Sequence, residues 1–521
     1  MKKLIILFLL LLTFNSFAQI SEKQVDELVE NTLKSFNVPG IAVAIVKDGK
    51  IVLAKGYGVK STKTNEKVDA NTLFGIASNS KAFTSAAIAM LVDEGKINWD
   101  NKVIQYIPEF KMYNDYVTNE FTIRDLLTHK SGLGLGAGDL MIWPDGSDFV
   151  PKDIIQNIQY LKPVSGFRTQ YDYDNLLYII AGEVIAKVSG LSWSDFIENR
   201  IMKPLEMNNS AASFIRLKDT SNVIVPHVPT EGKLKIIKRY TNQTFDAAAG
   251  IYSSVNDLSK WMIMQLQHGK YGSEKQNKLF SEKEQNEMWQ LQTIIPTTSR
   301  APYNTHFNGY GLGWFLSDVK GYKQVTHTGG LEGIVTQTTL FPELNLGIVV
   351  LTNQQSGAAF TAITNTIKDS YLNIPYTNYV ELYSKREKDN INDADKSTSE
   401  VWAAVDKNQK DKLKIDHKKY LGSYIDNWFG EIILSEKKGK LFFKATRSPQ
   451  LAGEVLFYKD TTFVVKWDNR SFNADAFLFF ELDEKGNSSA LKMKAISKLT
   501  DFSYDFHDLN FIKKINSGFS N

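Results

Sequence analysis

The sequence predicts an α+β domain, an antiparallel sheet flanked by helices plus a helical region, followed by a small all-β module of barrel or sandwich type. Three observations carry this. Strand-like apolar runs stand near both ends of the stretch from Ile20 to Val380 with helix-spaced segments between them, so one sheet must be assembled from distant parts of the chain. Composition turns polar and mixed in sign between Ser384 and Lys414. Beyond that point the pattern becomes short alternating runs broken by turn residues.

The elements follow in order. Lys2 and Lys3 precede nine apolar residues, Leu4 to Leu12, and Ser16-Phe17-Ala18-Gln19 offers small residues where a signal peptidase cuts. Nine residues fall short of the about 20 that cross a bilayer, so 1–18 reads as a cleavable signal peptide. The expectation is export to the periplasm or the medium, with no stable membrane anchor after cleavage. Val25, Leu28, Val29 and Leu33 have helical spacing, as do Phe83, Ala86, Ala87, Met90 and Leu91. Gly40 to Val46 reads as a buried strand ending in the Asp48-Gly49 turn, with Ile51 to Gly56 returning from it. Leu176 to Val188 is an apolar helix, and Leu340 to Asn353 holds two strands joined by a turn. These place a first domain at 19–380, a charged linker carrying a short helix at 381–415, and the β-module at 416–521.

Composition removes several function classes. A net charge of +3 supplies no broad field for nucleic acid. With no cysteine there is no thiolate nucleophile, thiolate metal site or disulfide. Covalent chemistry must use another side chain. The histidines show no metal-ligand spacing, and neither a metal nor an organic cofactor is assigned.

Ser78 and Lys81 open the helix that follows Leu73 to Ala77. One turn of helix puts i and i+3 on one face, so a lysine amine depressed by burial could take the serine proton. The spacing alone is weak: Ser317 with Lys320, Ser435 with Lys438 and Ser489 with Lys492 share it, and Ser78 could simply cap a helix. Tyr173-Asp174-Asn175 offers a phenol and an amide, although Tyr376-Thr377-Asn378 matches the same pattern. His327-Thr328-Gly329-Gly330 occurs once.

In this order the three motifs resemble the penicillin-recognising serine hydrolases, the group of class C β-lactamases, D-aminopeptidases, DD-peptidases and related esterases. Phe74 to Thr84, Leu126-Leu127-Thr128-His129-Lys130-Ser131-Gly132, Ala249 to Ser254 and Gly309 to Trp314 are similar to further landmarks of that family. The resemblance covers roughly residues 22 to 370, and the β-module resembles the lipocalin-like domain often appended to such enzymes. It implies a β-lactamase/transpeptidase-like fold and acyl transfer without a cofactor. Ser78 would be the nucleophile, Lys81 and Tyr173 the acid–base pair, and Asn175 their support. His327, Thr328, Gly329 and Gly330 would line the substrate, with the N–H groups of Ser78 and Gly330 as oxyanion hole.

Two departures bear on substrate. His327 stands where many β-lactamases carry lysine, which favours an esterase or D-amino-acid peptidase over a β-lactamase. Asp174 adds a carboxylate that either faces the site or points to solvent. The expected partner is a small-molecule or peptide substrate, cell-wall-derived compounds included. The alternatives are β-lactamase activity, a catalytically silent binder of penicillins or cell-wall fragments, and an adhesive role for 416–521. His129 reads as structural, and Trp143, Trp261 and Trp314 as core or substrate platform.

Overall fold

The computed structural model describes residues 19–514, so the signal-peptide expectation lies outside the described residues. Eight antiparallel strands form the main sheet: β1 Gly40–Lys47, β2 Lys50–Gly58, β3 Thr293–Ile294, β4 Asn308–Tyr310, β5 Phe315–Val319, β6 Tyr322–Leu331, β7 Ile334–Phe341 and β8 Leu346–Thr352. Their order is β2-β1-β8-β7-β6-β5-β4-β3, which sets the first hairpin beside the last strand, Ile41 opposite Thr352.

The continuous apolar run of β1 has a simple cause. Successive side chains alternate between faces, and both faces are covered. Ala42, Ala44 and Val46 enter one core, while Ile41, Val43 and Ile45 enter another. The second core is capped by α1 Glu22–Ser35 and a helix at Gly357–Tyr371, through Val25, Val29, Ile363 and Ile367. On the other face lie α2 Ser80–Asp93, α3 Leu176–Ser189 and a helix at Val255–Leu266, where Phe83 stacks on Trp261 at 3.9 Å. Trp261 and Trp314 are core residues. Among the described residues no single helix is long and apolar enough to cross a membrane.

The expected linker at 381–415 differs from the structure. Tyr379–Lys410 is one helix of 32 residues, about 48 Å long at 1.5 Å per residue. No glycine or proline interrupts it. Tyr379 and Val380 anchor its start in the α1 core, and Val401 and Val405 pack near its end on Val464 of the β-module. Its mixed charges solvate the exposed sides of a helix; they do not mark a flexible chain.

The β-module is a closed eight-stranded antiparallel barrel, so the sandwich alternative falls away. Closure comes from the last strand, Asn510–Lys513, which pairs Ile512 with Ile425 of the first, Gly422–Asp426. Phe443, Phe463, Trp467 and Phe480 fill its centre. The barrel docks firmly on the first domain. Arg447 pairs with Asp148 and Asp153 and lies 3.9 Å over the Phe149 ring, and Asn157 donates to the Trp428 carbonyl at 2.9 Å.

Candidate active site

The turn before α2 presents one side chain. From Leu73 to Leu91 every residue is buried except Ser78. Ala77 has φ +51°, a left-handed conformation that costs a non-glycine residue about 1–2 kcal/mol. Neighbours hold it: the Ile76 N–H donates to Ile251 O at 2.8 Å, and Thr336 Oγ1 donates to Ile76 O at 2.9 Å. Ser78 does not serve as a side-chain cap for α2; its hydroxyl lies 3.2 Å from Lys81 Nζ.

Lys81 is fully buried beneath it. Its Nζ lies 2.7 Å from Asn175 Oδ1 and 3.1 Å from the Ala248 carbonyl. A neutral amine has two N–H donors and one lone pair. The two carbonyl oxygens take the donors, which leaves the lone pair for the Ser78 proton. Burial brings the Lys81 amine from 10.5 down to about 7, against the opposing pull of Asp139 and Asp174. Tyr173 is also buried, and burial raises its phenol well above 10 even though hydrogen bonding with Ser78 works the other way. Lys81 Nζ sits 4.8 Å from the centre of that ring.

The segment entering α3 supplies the second wall. Asp174, left open between site and solvent in the sequence, does neither. It is buried and its Oδ1 accepts the Leu176 N–H at 2.9 Å, holding the first turn of α3. His129 is buried as well, and its Nδ1 accepts the Asp174 N–H at 3.1 Å, the structural place expected of it.

Strand β6 supplies the third wall. The His327 Nδ1 lies 2.6 Å from the Thr328 carbonyl, so it carries the proton there, and Nε2 accepts the Tyr310 hydroxyl at 2.9 Å. Burial, with Lys81 nearby, pushes His327 down to about 3; it is neutral at any ordinary pH. The two glycines differ in what they allow. A Cβ on Gly329 would meet Ile76 O at 2.3 Å and Thr336 Oγ1 at 2.5 Å, so this glycine lets β6 lie against the Ser78 turn. A Cβ on Gly330 would meet nothing within 4 Å, because Gly330 faces the open cleft.

The cleft has a volume of about 290 Å³ and is lined by Ser78, Tyr173, Asn175, His327, Thr328 and Gly330, with Trp143, Phe245 and Phe315 as apolar walls. The barrel closes it. Asp501, Phe502 and Ser503 line the same cleft, and the Phe502 ring meets Tyr173 edge-on at 5.9 Å. Phe502 Cδ2 would lie 2.7 Å from a Cβ on Gly136, so that glycine makes room for the ring. Among the described residues no lysine or arginine lines the cleft, and Asp501 is its one lining carboxylate. Among the described residues no group of three His, Cys, Asp or Glu side chains could hold a metal ion.

A family model described as Beta-lactamase matches residues 25–372. The chain belongs to the beta-lactamase family of serine hydrolases. A second model, described as a domain of unknown function (DUF3471), matches 406–513. The chain is 28% identical over 362 residues to unguisins hydrolase ungD' of Aspergillus campestris (strain IBT 28561), covering 67% of this chain and 65% of that one. It is 29% identical over 340 residues to protein flp of Staphylococcus aureus (strain N315), covering 64% of each. The chain thus spans just under two thirds of the length of these curated relatives. The octameric penicillin-binding protein homologue from Pyrococcus abyssi shares the fold over 95% of this chain and 100% of that one, with TM-score 0.60 and 21% identity. SurE with D-Leu covers 94% of this chain and 99% of that one, with TM-score 0.52 and 17% identity. A class C beta-lactamase covers 68% of this chain and 96% of that one, with TM-score 0.54 and 19% identity.

Within this beta-lactamase-family fold, Ser78, Lys81, Tyr173, Asn175, His327, Thr328 and Gly330 converge on one cleft, and Gly329 packs just behind it. Sequence reading missed Asp139, which touches Asn175, and the barrel's Asp501-Phe502-Ser503. The glycine-rich Gly134 to Gly138 turn was a local signal for the first. Nothing local marked the second.

Proposed function

We propose that the protein is an exported serine hydrolase that forms an acyl-enzyme at Ser78 on a small ester or a D-amino-acid-type peptide or amide. The observation that carries this is the Ser78–Lys81–Asn175 contact, with the lysine buried and its amine near neutrality. Lys81 removes the Ser78 proton as Oγ attacks the carbonyl, and the tetrahedral oxyanion is held by the N–H groups of Ser78 and Gly330. Tyr173 stays a phenol at neutral pH, so it relays a proton to the leaving group. Water then releases the acyl group by the same steps in reverse.

The cleft's electrostatics support an uncharged or amine-bearing acyl donor. A β-lactam presents a carboxylate, and here the lining offers neutral His327 and acidic Asp501 with no fixed cation. The likeness to SurE with D-Leu supports the D-amino-acid class, and that to unguisins hydrolase ungD' supports hydrolysis. Export rests on the Lys2 to Gln19 segment.

The test is initial-rate hydrolysis by wild type and Ser78→Ala across p-nitrophenyl esters, D- and L-aminoacyl p-nitroanilides and a chromogenic cephalosporin. The expected result is turnover of an ester or D-aminoacyl substrate that vanishes in the variant, with little cephalosporin hydrolysis. Fastest turnover of the cephalosporin would establish the β-lactamase alternative. Equal rates in both proteins on every substrate would favour a silent binder.

A further inference from the structure

The active-site asparagine poses a question that its immediate neighbours do not answer. An Asn side chain fits its place in two orientations related by a half-turn, with oxygen and nitrogen exchanged. Only one serves Lys81: Oδ1 must face Nζ, because the opposite orientation sets two N–H donors against each other. Selection therefore comes from the far end of the amide. There, Asn175 Nδ2 donates to Asp139 Oδ2 at 2.8 Å.

Asp139 is itself held from the barrel, by side chain and by backbone. Ser503 Oγ donates to the same Asp139 Oδ2 at 2.8 Å. Asp505 receives the N–H groups on either side, Gly138 at 2.6 Å and Leu140 at 3.2 Å. The local backbone depends on that grip. Gly138 has φ +79°, and a Cβ there would lie 2.6 Å from Leu176 Cδ1. Asp139 Oδ1 is buried with no hydrogen-bond partner, a cost that an apolar residue in its place would avoid. The barrel thus reaches the base through an unbroken chain: Ser503, Asp139, Asn175, Lys81.

We propose that Asp139 is a positioning residue through which the C-terminal barrel sets the orientation of Asn175 and thereby the readiness of Lys81. This rests on the reading of Ser78 and Lys81 as nucleophile and base. The charged and titratable groups that bear on Asp139 are Lys81 from α2, Asp174 from the segment entering α3, and Asp505 from the barrel. Burial raises the Asp139 carboxyl to about 8, so it and Lys81 titrate in the same range and the charge on each bears on the other. An ionised Asp139 holds a proton on Lys81. Removing its charge therefore frees the amine at lower pH.

The experiment needs no knowledge of the natural substrate. A fluorophosphonate probe reacts with an activated serine: Ser78 Oγ bonds to phosphorus, fluoride leaves, and the serine proton passes to Lys81. Its second-order labelling rate would be measured from pH 5 to 10 for the full-length wild type, Asp139→Asn, Asp139→Ala and Ser503→Ala, with Ser78→Ala as control and thermal melts alongside. In Asp139→Asn the rising limb is expected to move down by about 0.5–1 pH unit and narrow to a single titration. In Asp139→Ala the plateau is expected to fall about 10- to 100-fold. Ser503→Ala is expected to shift the limb the same way by less, because losing that donor destabilises ionised Asp139. A purely structural role would lower the melting temperature and the labelled fraction without moving the limb. An unmoved limb in both Asp139→Asn and Ser503→Ala would overturn the proposal while leaving Ser78 as nucleophile. A wild type that shows no Ser78-dependent labelling would overturn the nucleophile reading, and the proposal with it.

Discussion

Replacing Lys81 by arginine tests the mechanism at its most quantitative point. A lysine at its ordinary 10.5 is neutral in roughly one molecule in 3000 at pH 7, whereas one brought down to about 7 is neutral in about half. The site's burial thus accounts for about 10³ in available base. Arginine keeps a cation of similar reach that stays charged at every accessible pH, so it can donate to Asn175 and Ala248 but cannot accept a proton. The expected result is a fall of about 10³ or more in kcat/KM at pH 7, about 4 kcal/mol of transition-state stabilisation, with no recovery up to pH 9. Wild-type kcat/KM should rise along a limb centred near pH 7. The assay is initial-rate hydrolysis of the best p-nitrophenyl or p-nitroanilide substrate from pH 5.5 to 9.5, with circular dichroism to verify folding. A variant within tenfold of wild type, or a wild-type profile flat from pH 6 to 8, would refute lysine as the base.

The same residue has a signature in stability. Its folded value lies below its unfolded value, so between about pH 7 and 10.5 the unfolded chain binds more protons, and Lys81's contribution makes the fold more stable as pH rises through that window. Urea melts at pH 7.5 and 9.5 should show a wild-type rise that is larger than that of Lys81→Met; equal slopes would count against the burial effect. Gly329→Ala should lose about 1–3 kcal/mol by calorimetry, because its methyl meets the Ile76 carbonyl, whereas Gly330→Ala should melt like wild type yet lose at least tenfold in activity. Phe502→Ala removes an apolar wall contributed by the barrel, and steady-state kinetics should give KM raised about tenfold with kcat within about threefold. Unchanged KM would place Phe502 outside the substrate's reach.

Much of the core architecture was legible in the sequence. The helix Glu22–Ser35 and the hairpin Gly40–Lys47 with Lys50–Gly58 were readable because periodicity and the Asp48-Gly49 turn are local properties. Three barrel strands were not. Ala452–Lys459 has Val455 facing inward but Leu456 and Tyr458 packed outward against the long helix, so its apolar residues do not alternate, while Gly422–Asp426 and Asn510–Lys513 are short and pair only because the barrel closes. The helix Tyr379–Lys410 was read as a linker because its anchors cluster at its two ends, leaving a long polar middle that resembles solvated chain.

The sequence by itself, through its family resemblance, singled out and ordered the candidate groups: Ser78 and Lys81 one helical turn apart, then Tyr173 and Asn175, then His327 to Gly330. Spacing along one helix fixes which side chains share a face, and no folding is needed to know it. Only the tertiary structure decided what those groups can do. Burial of Lys81 under Tyr173 and against Asn175, the neutrality of His327, the burial of Asp174, and the arrival of Phe502 and Ser503 from the far end of the chain all depend on distance through space. Desolvation and hydrogen bonding act on whatever atoms lie within a few ångströms, and the residues that supply them here stand as far as 364 positions apart in the chain.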